Sequence, residues 1–171
     1  SMLVSLSIRD FVIVDKLELE FASGFTVLTG ETGAGKSILI DALQLALGER
    51  GEADVVRDGA TRADIAAEFR APAPVERWLA GHELTGDSAG LVLVRRTVDA
   101  NGRSRAFING AAVTLGQLRE LGEQLVDVHG QHAHQSLLRP AAQLELLDDH
   151  GALGETRVAV ADAYAEWKRA Q

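Results

Sequence analysis

A glycine loop set between an apolar strand and an apolar helix is the feature that most limits what this chain can fold into. Gly30-Glu31-Thr32-Gly33-Ala34-Gly35-Lys36-Ser37 fits G-x-x-x-x-G-K-[ST], the phosphate-binding loop. Before it stands the β-favouring run Phe25-Thr26-Val27-Leu28-Thr29. After it comes Ile38-Leu39-Ile40-Asp41-Ala42-Leu43-Gln44-Leu45-Ala46-Leu47, an apolar helix former closed by Gly48. Gly30, Gly33 and Gly35 permit backbone angles and close approaches that a side chain would block. The loop N–H groups and the helix N-terminus would face phosphates, where the helix dipole favours negative charge. Lys36 would reach the β and γ phosphates, and the Ser37 hydroxyl would hold Mg²⁺. The nucleotide-binding set read from the motif is Gly30, Glu31, Thr32, Gly33, Ala34, Gly35, Lys36, Ser37 and Ile38. A plain glycine-rich turn with a surface lysine is the alternative, and both flanks argue against it.

Composition narrows the setting. With 171 residues, one domain is the default. The chain has no cysteine, so it has neither a disulfide framework nor a thiolate metal site. No apolar stretch approaches the roughly 18 residues of a membrane span, and Ser1-Met2-Leu3-Val4 lacks the basic start of a secretory signal. Ser1 ahead of Met2 reads as a cloning scar. The formal net charge of −8 argues against a dedicated duplex binder with a basic face. Arg95-Arg96 and Arg103-Ser104-Arg105 could form a local basic patch; solvated charges on strands are the simpler reading.

The flanking segments surround the loop with strands. Leu3 to Ile8 and Lys16 to Phe21 alternate apolar and polar residues and read as strands. Phe25 to Thr29 is a third, feeding the loop. Gly48 to Gly59 is polar and irregular. Ala63 to Phe69 reads as a strand, Val75 to Leu79 as a short helix after Pro72 and Pro74, and Gly81 to Gly90 as a polar loop. Leu91 to Val98 is a strand, followed by Asn101-Gly102, a strong hairpin signal, and a returning strand over Arg103 to Asn109. A second Asn-Gly follows at Asn109-Gly110. Thr114 and Gln117 have capping-box spacing and open a helix to about Gln124. Leu125-Val126-Asp127-Val128-His129 reads as another strand, ending at Gly130. Pro140 opens a helix to His150. From Gly151 onward the chain is alanine-rich. Leu153, Val160 and Trp167 recur at heptad spacing, interrupted by Arg157, and the run to Gln171 has no stop signal, which reads as an engineered boundary rather than a natural terminus.

Hydrolytic machinery is not recognisable beside the loop. A Walker B strand needs an apolar run ending in Asp, usually followed by Glu as general base. Leu144-Glu145-Leu146-Leu147-Asp148-Asp149 is the nearest approach, but Glu145 interrupts it and the segment reads as helix. The S-G-G-type signature of ABC-type sites and the N-K-x-D base reader are both absent. A self-contained P-loop kinase or nucleotidase would need catalytic groups within these residues. A non-catalytic module with a vestigial loop would bind no ATP. His129, His132 and His134 have spacings that could hold a metal such as Zn²⁺; a hydrogen-bonded cluster is the plainer reading.

The motifs together carry a resemblance. Leu6-Ser7-Ile8-Arg9-Asp10-Phe11 resembles the I-x-[ND]-F start of SMC-like ATPases, and G-E-T-G-A-G-K-S followed by I-L-I-D-A-L is similar to their first head motif. Leu47-Gly48-Glu49-Arg50, Val56-Arg57-Asp58-Gly59 and Phe107-Ile108-Asn109-Gly110 also resemble that family. The stretch Val126 to Leu138, with H-G-Q-H-x-H-Q at its centre, is similar to a bacterial DNA-repair branch of it. The resemblance implies an α/β fold: a P-loop NTPase with an ABC/SMC-like head, assembled from the two ends of a long chain around an antiparallel coiled coil. Residues 2–150 would be the N-terminal half of that head and 151–171 the start of the coiled coil. It implies ATP and Mg²⁺ as ligands, and Gln131 as the Q-loop residue touching Mg²⁺ and water, with Gln135 its rival. Lys36 and Gln131 would be the catalytic residues contributed here, and Ser37 and Gln131 the metal-facing ones. The implied partners are the C-terminal half of the same head, a second head in an ATP-sandwiched homodimer, and DNA in double-strand break repair, in the bacterial cytoplasm with no membrane. Arg57 would approach phosphate or DNA, or form a structural ion pair.

Overall fold

The computed structural model describes residues 2–21 and 33–128, with backbone alone for Gly33, Ala34 and Lys36. Among these residues the chain forms a six-stranded sheet in the order β2-β1-β3-β4-β5-β6. The strands are β1 (Leu3–Phe11), β2 (Val14–Glu20), β3 (Arg62–Arg70), β4 (Leu91–Asp99), β5 (Ser104–Ile108) and β6 (Ala111–Val113). Every neighbouring pair is antiparallel. Three helices accompany the sheet: α1 (Gly33–Ala46), α2 (Ala73–Gly81) and α3 (Leu115–Val128).

One face of the sheet carries the core. Side chains alternate across a strand, and Ala63, Ile65, Ala67 and Phe69 of β3 are all buried, as are Val92, Val94 and Val98 of β4. Leu39, Ala42, Leu43, Ala46 and Leu47 of α1 are buried at helical spacing, and so are Leu118, Leu121 and Leu125 of α3. These residues belong to one continuous core cluster.

The turns follow from local chemistry. At Asn109-Gly110 both residues have positive φ, 49° and 85°, and Ile108 pairs directly with Ala111. That is the two-residue loop whose twist matches the strands. It leads into β6, a short strand that the sequence reading does not contain. The Asn101-Gly102 hairpin forms as expected, with Gly102 at φ 92° and its N–H donated to the Asp99 carbonyl at 2.8 Å. The capping box also forms: the Gln117 N–H donates to Thr114 Oγ1 at 3.1 Å, and the Thr114 N–H donates to Gln117 Oε1 at 3.0 Å.

One expected strand is helix. Leu125 to Val128 continues α3. Buried Leu118, Leu121, Gly122, Leu125 and Val126 keep one stripe at period 3.6, so the apolar pair at 125–126 is the last step of that stripe. The expected strand over Phe25–Thr29, the helix after Pro140 and the heptad segment lie outside the described residues.

Candidate phosphate site and the ends of helix α1

The second half of the glycine motif, Gly33 to Ser37, forms the first turn of α1, a helix of 14 residues. The first N–H groups of a helix have no partner within it and carry the positive end of the helix dipole. No acidic residue stands in this turn to compete with an anion. Gly35 is half-buried, Ser37 is exposed, and Ile38 turns into the core at 9% exposure. An exposed hydroxyl in the first turn of a helix that has no acidic residue there fits a phosphate and its Mg²⁺. Gly30, Glu31 and Thr32 lie outside the described residues, as do Gln131, Gln135, His129, His132, His134 and the 144–149 segment. Among the described residues no group of three His, Cys, Asp or Glu side chains could hold a metal.

The opposite end of α1 is held by two arginines from other elements. The last turn of α1 has no basic residue of its own to meet the negative end of the dipole. Arg96 of β4 fills this role: its guanidinium NH1 donates to the carbonyls of Leu45 and Glu49, each at 2.7 Å, and its NH2 donates to Ser104 Oγ at 2.7 Å. Arg119 of α3 donates from Nε to the Gly48 carbonyl at 2.9 Å. Gly48 itself sits at φ 106°, and a Cβ there would lie 2.6 Å from Arg119 Cγ, so only glycine allows the turn and the approach of α3.

Arg96 is fully buried. Burial and the nearby charge of Arg119, partly offset by Glu49, lower its pKa to about 10. It therefore stays charged at neutral pH, and its Nε has no partner. This corrects the expectation that Arg95 and Arg96 are both surface charges. They alternate across β4. Arg96 follows Val92 and Val94 inward, while Arg95 stays on the open face, pairs with Asp64 at 3.0 Å through Nε, and lies 5.8 Å over the Phe107 ring. The period-two rhythm of the strand contained this signal. The role of Arg119 left no comparable mark, because its partner is a backbone carbonyl 71 residues away.

Arg57 forms the ion pair that was one of its two readings. Its Nε lies 3.0 Å from Asp10 Oδ1 and its NH2 3.2 Å from Asp15 Oδ1. The Val12 N–H donates to the Val55 carbonyl at 2.7 Å, and the Arg57 N–H donates to the Asp10 carbonyl at 2.9 Å. The 53–57 segment is thereby fastened to the β1–β2 turn. At the mouth of the β4–β5 hairpin, Arg62 Nε donates to Asp99 at 2.8 Å. That hydrogen bond, which outweighs an opposing effect of burial and is aided by the charges of Arg62, Arg105 and Arg103, lowers the Asp99 pKa.

The model of the AAA domain family matches residues 5–151. The DNA repair protein RecN of Vibrio cholerae is 46% identical over 99% of this chain and 30% of its own length. RecN of Halalkalibacterium halodurans is 50% identical over 96% of this chain and 29% of its own. The chain thus spans about 30% of the length of these curated relatives. Among solved structures, an SMC head bound to the C-winged helix domain of ScpA matches 73% of this chain and 41% of its own at 23% identity and TM-score 0.57. A chain from work on ATP-driven dimerisation and DNA-stimulated activation of SMC ATPases matches 95% of this chain and 99% of its own, at 20% identity and TM-score 0.59. These likenesses show the SMC-head fold.

Proposed function

The chain belongs to the AAA domain family, and on that premise we propose that it is the ATP-binding half of an SMC-like head acting in DNA double-strand break repair. The observation that carries this reading is the placement of Gly33 to Ser37 as the first turn of α1, which holds no acidic residue, completing a full phosphate-loop motif in the sequence. Similarity to RecN proteins along nearly the whole chain supports the repair assignment. In this reading the loop and α1 N–H groups bind the triphosphate, Lys36 neutralises its β and γ oxygens, and Ser37 holds Mg²⁺, with Gln131 the second metal-facing residue. Magnesium supplies charge neutralisation at the transferring phosphoryl group. Residues 2–150 form half of the head and 151–171 begin its coiled coil. The signature and Walker B groups come from a C-terminal part of the longer protein. Two such heads close on ATP, and DNA is the substrate of the assembled dimer in the bacterial cytoplasm.

Lys36→Ala tests the loop. It removes a charge-assisted contact of about 1.5–3 kcal/mol. ATP affinity of the full-length protein, measured by calorimetry or a fluorescent analogue, then falls about tenfold to a hundredfold. Unchanged affinity would overturn the assignment.

A further inference from the structure

Helix α1 has its phosphate-facing turn at one end and a two-arginine grip at the other. The two arginines differ in kind. Arg96 is fully buried in the sheet face, donates three hydrogen bonds to three polar partners and leaves its Nε orphaned. It is a fixed part of the core. Arg119 is exposed along its helix and donates one bond to the carbonyl of Gly48, in the turn that closes α1, where the Gly48 N–H in turn donates to the Leu45 carbonyl at 3.2 Å. Its backbone N lies 3.1 Å from where a Gly48 Cβ would be, so α3 passes close to the turn that closes α1, with no room there for a side chain. A helix is stiff along its axis, and its hydrogen bonds run from its last turn, to which Gly48 is tied through Leu45, to the phosphate-facing end. A displacement of α3 therefore shifts α1, and a ligand that fixes α1 resists displacement of α3.

We propose that Arg119 is a positioning residue that couples nucleotide occupancy at the N-terminus of α1 to the placement of helix α3, through the Gly48 carbonyl. The inference rests on the phosphate-loop reading above and adds a second element to it. Coupling of this kind is reciprocal: if ATP holds α3, then α3 held by Arg119 favours ATP.

The test uses the full-length protein with ATP and Mg²⁺, at a temperature well below unfolding. Hydrogen exchange reads α3, and calorimetry reads affinity. In the wild type, ATP slows exchange across 115–128. Arg119→Ala abolishes that protection and weakens ATP binding about fivefold, the low end of usual coupling. Arg119→Lys, which keeps a donor, restores most of both. Thr114→Ala removes the α3 cap, for a stability loss of the same order, yet keeps both the protection and the affinity. The proposal is overturned if Arg119→Ala binds ATP as the wild type does and α3 stays protected. It is equally overturned if Thr114→Ala loses as much as Arg119→Ala, because general loosening of α3 then explains both. A wild-type protein that binds no ATP overturns the phosphate-loop reading itself, and this coupling with it.

Discussion

At the scale of single residues, Arg95 and Arg96 show how one step along a strand changes what a charge does. Arg95 meets Asp64 in water, where exposed pairs are worth at most about 1 kcal/mol. Arg96 is buried against the α1 terminus and satisfies two carbonyls and a hydroxyl. Removing it strands those groups in a low-dielectric core, where each unsatisfied partner costs about 1–3 kcal/mol. Arg96→Ala should therefore lower stability by about 3–5 kcal/mol, and Arg95→Ala by less than about 1 kcal/mol. Urea unfolding of both variants checks this. Equal midpoints would mean that Arg96 is not the anchor its contacts describe. The glycine motif could be read from the sequence because each of its positions has a local reason, and the described part of it, Gly33 to Ser37, opens α1. Asn109 was legible only as a turn residue. Its side chain also accepts the Leu93 N–H at 2.9 Å and donates to the Leu84 carbonyl at 2.8 Å, and those partners are brought near by the fold.

At the scale of elements, legibility followed local chemistry. The Asn-Gly turns and the Thr114–Gln117 box declared themselves because their signals span a few residues. The strand expected at 125–129 failed because a short apolar run suits either period, and only the helical stripe begun at Leu118 decides between them. The β1–β2 turn had no readable signal. Phe11 pairs with Val14, leaving Val12 and Ile13 as the loop. Val12 takes φ 55°, a conformation that costs a β-branched residue about 1–2 kcal/mol. Its N–H bond to Val55 and the Arg57 pairs hold it there. Val12 is 40% exposed, so little burial depends on its side chain. Val12→Asn should relieve the strain, since Asn tolerates this region. The expected gain is about 0.5–1 kcal/mol, a rise of about 2–4 °C in melting temperature. A lower melting temperature would show that the valine side chain does more at the turn than its exposure suggests.

At the scale of the whole molecule, the described sheet ends in strands that discourage further pairing. Lys16, Glu18 and Glu20 alternate along edge strand β2, and edge strand β6 has three residues. Charge and shortness both blunt an edge. The sequence could not reveal the strand order β2-β1-β3-β4-β5-β6, because pairing β1 with β3 joins segments separated by the loop, α1 and the 48–61 stretch. Nor could it complete the site, for the groups that cleave a phosphate bond are not recognisable in it. Binding and cleavage need different parts. A helix terminus, a lysine and a serine can hold a triphosphate in its ground state, whereas hydrolysis needs a base for water and charge stabilisation as the leaving oxygen departs. These 171 residues should therefore show little or no ATP turnover. The full-length protein, in which the remaining part is present, should hydrolyse ATP, and Lys36→Ala should abolish that activity. Phosphate release per mole of chain, compared between the two at saturating ATP and Mg²⁺, decides the matter. Comparable turnover from both would mean that the catalytic groups already lie within this chain, and the kinase or nucleotidase reading would replace the half-head.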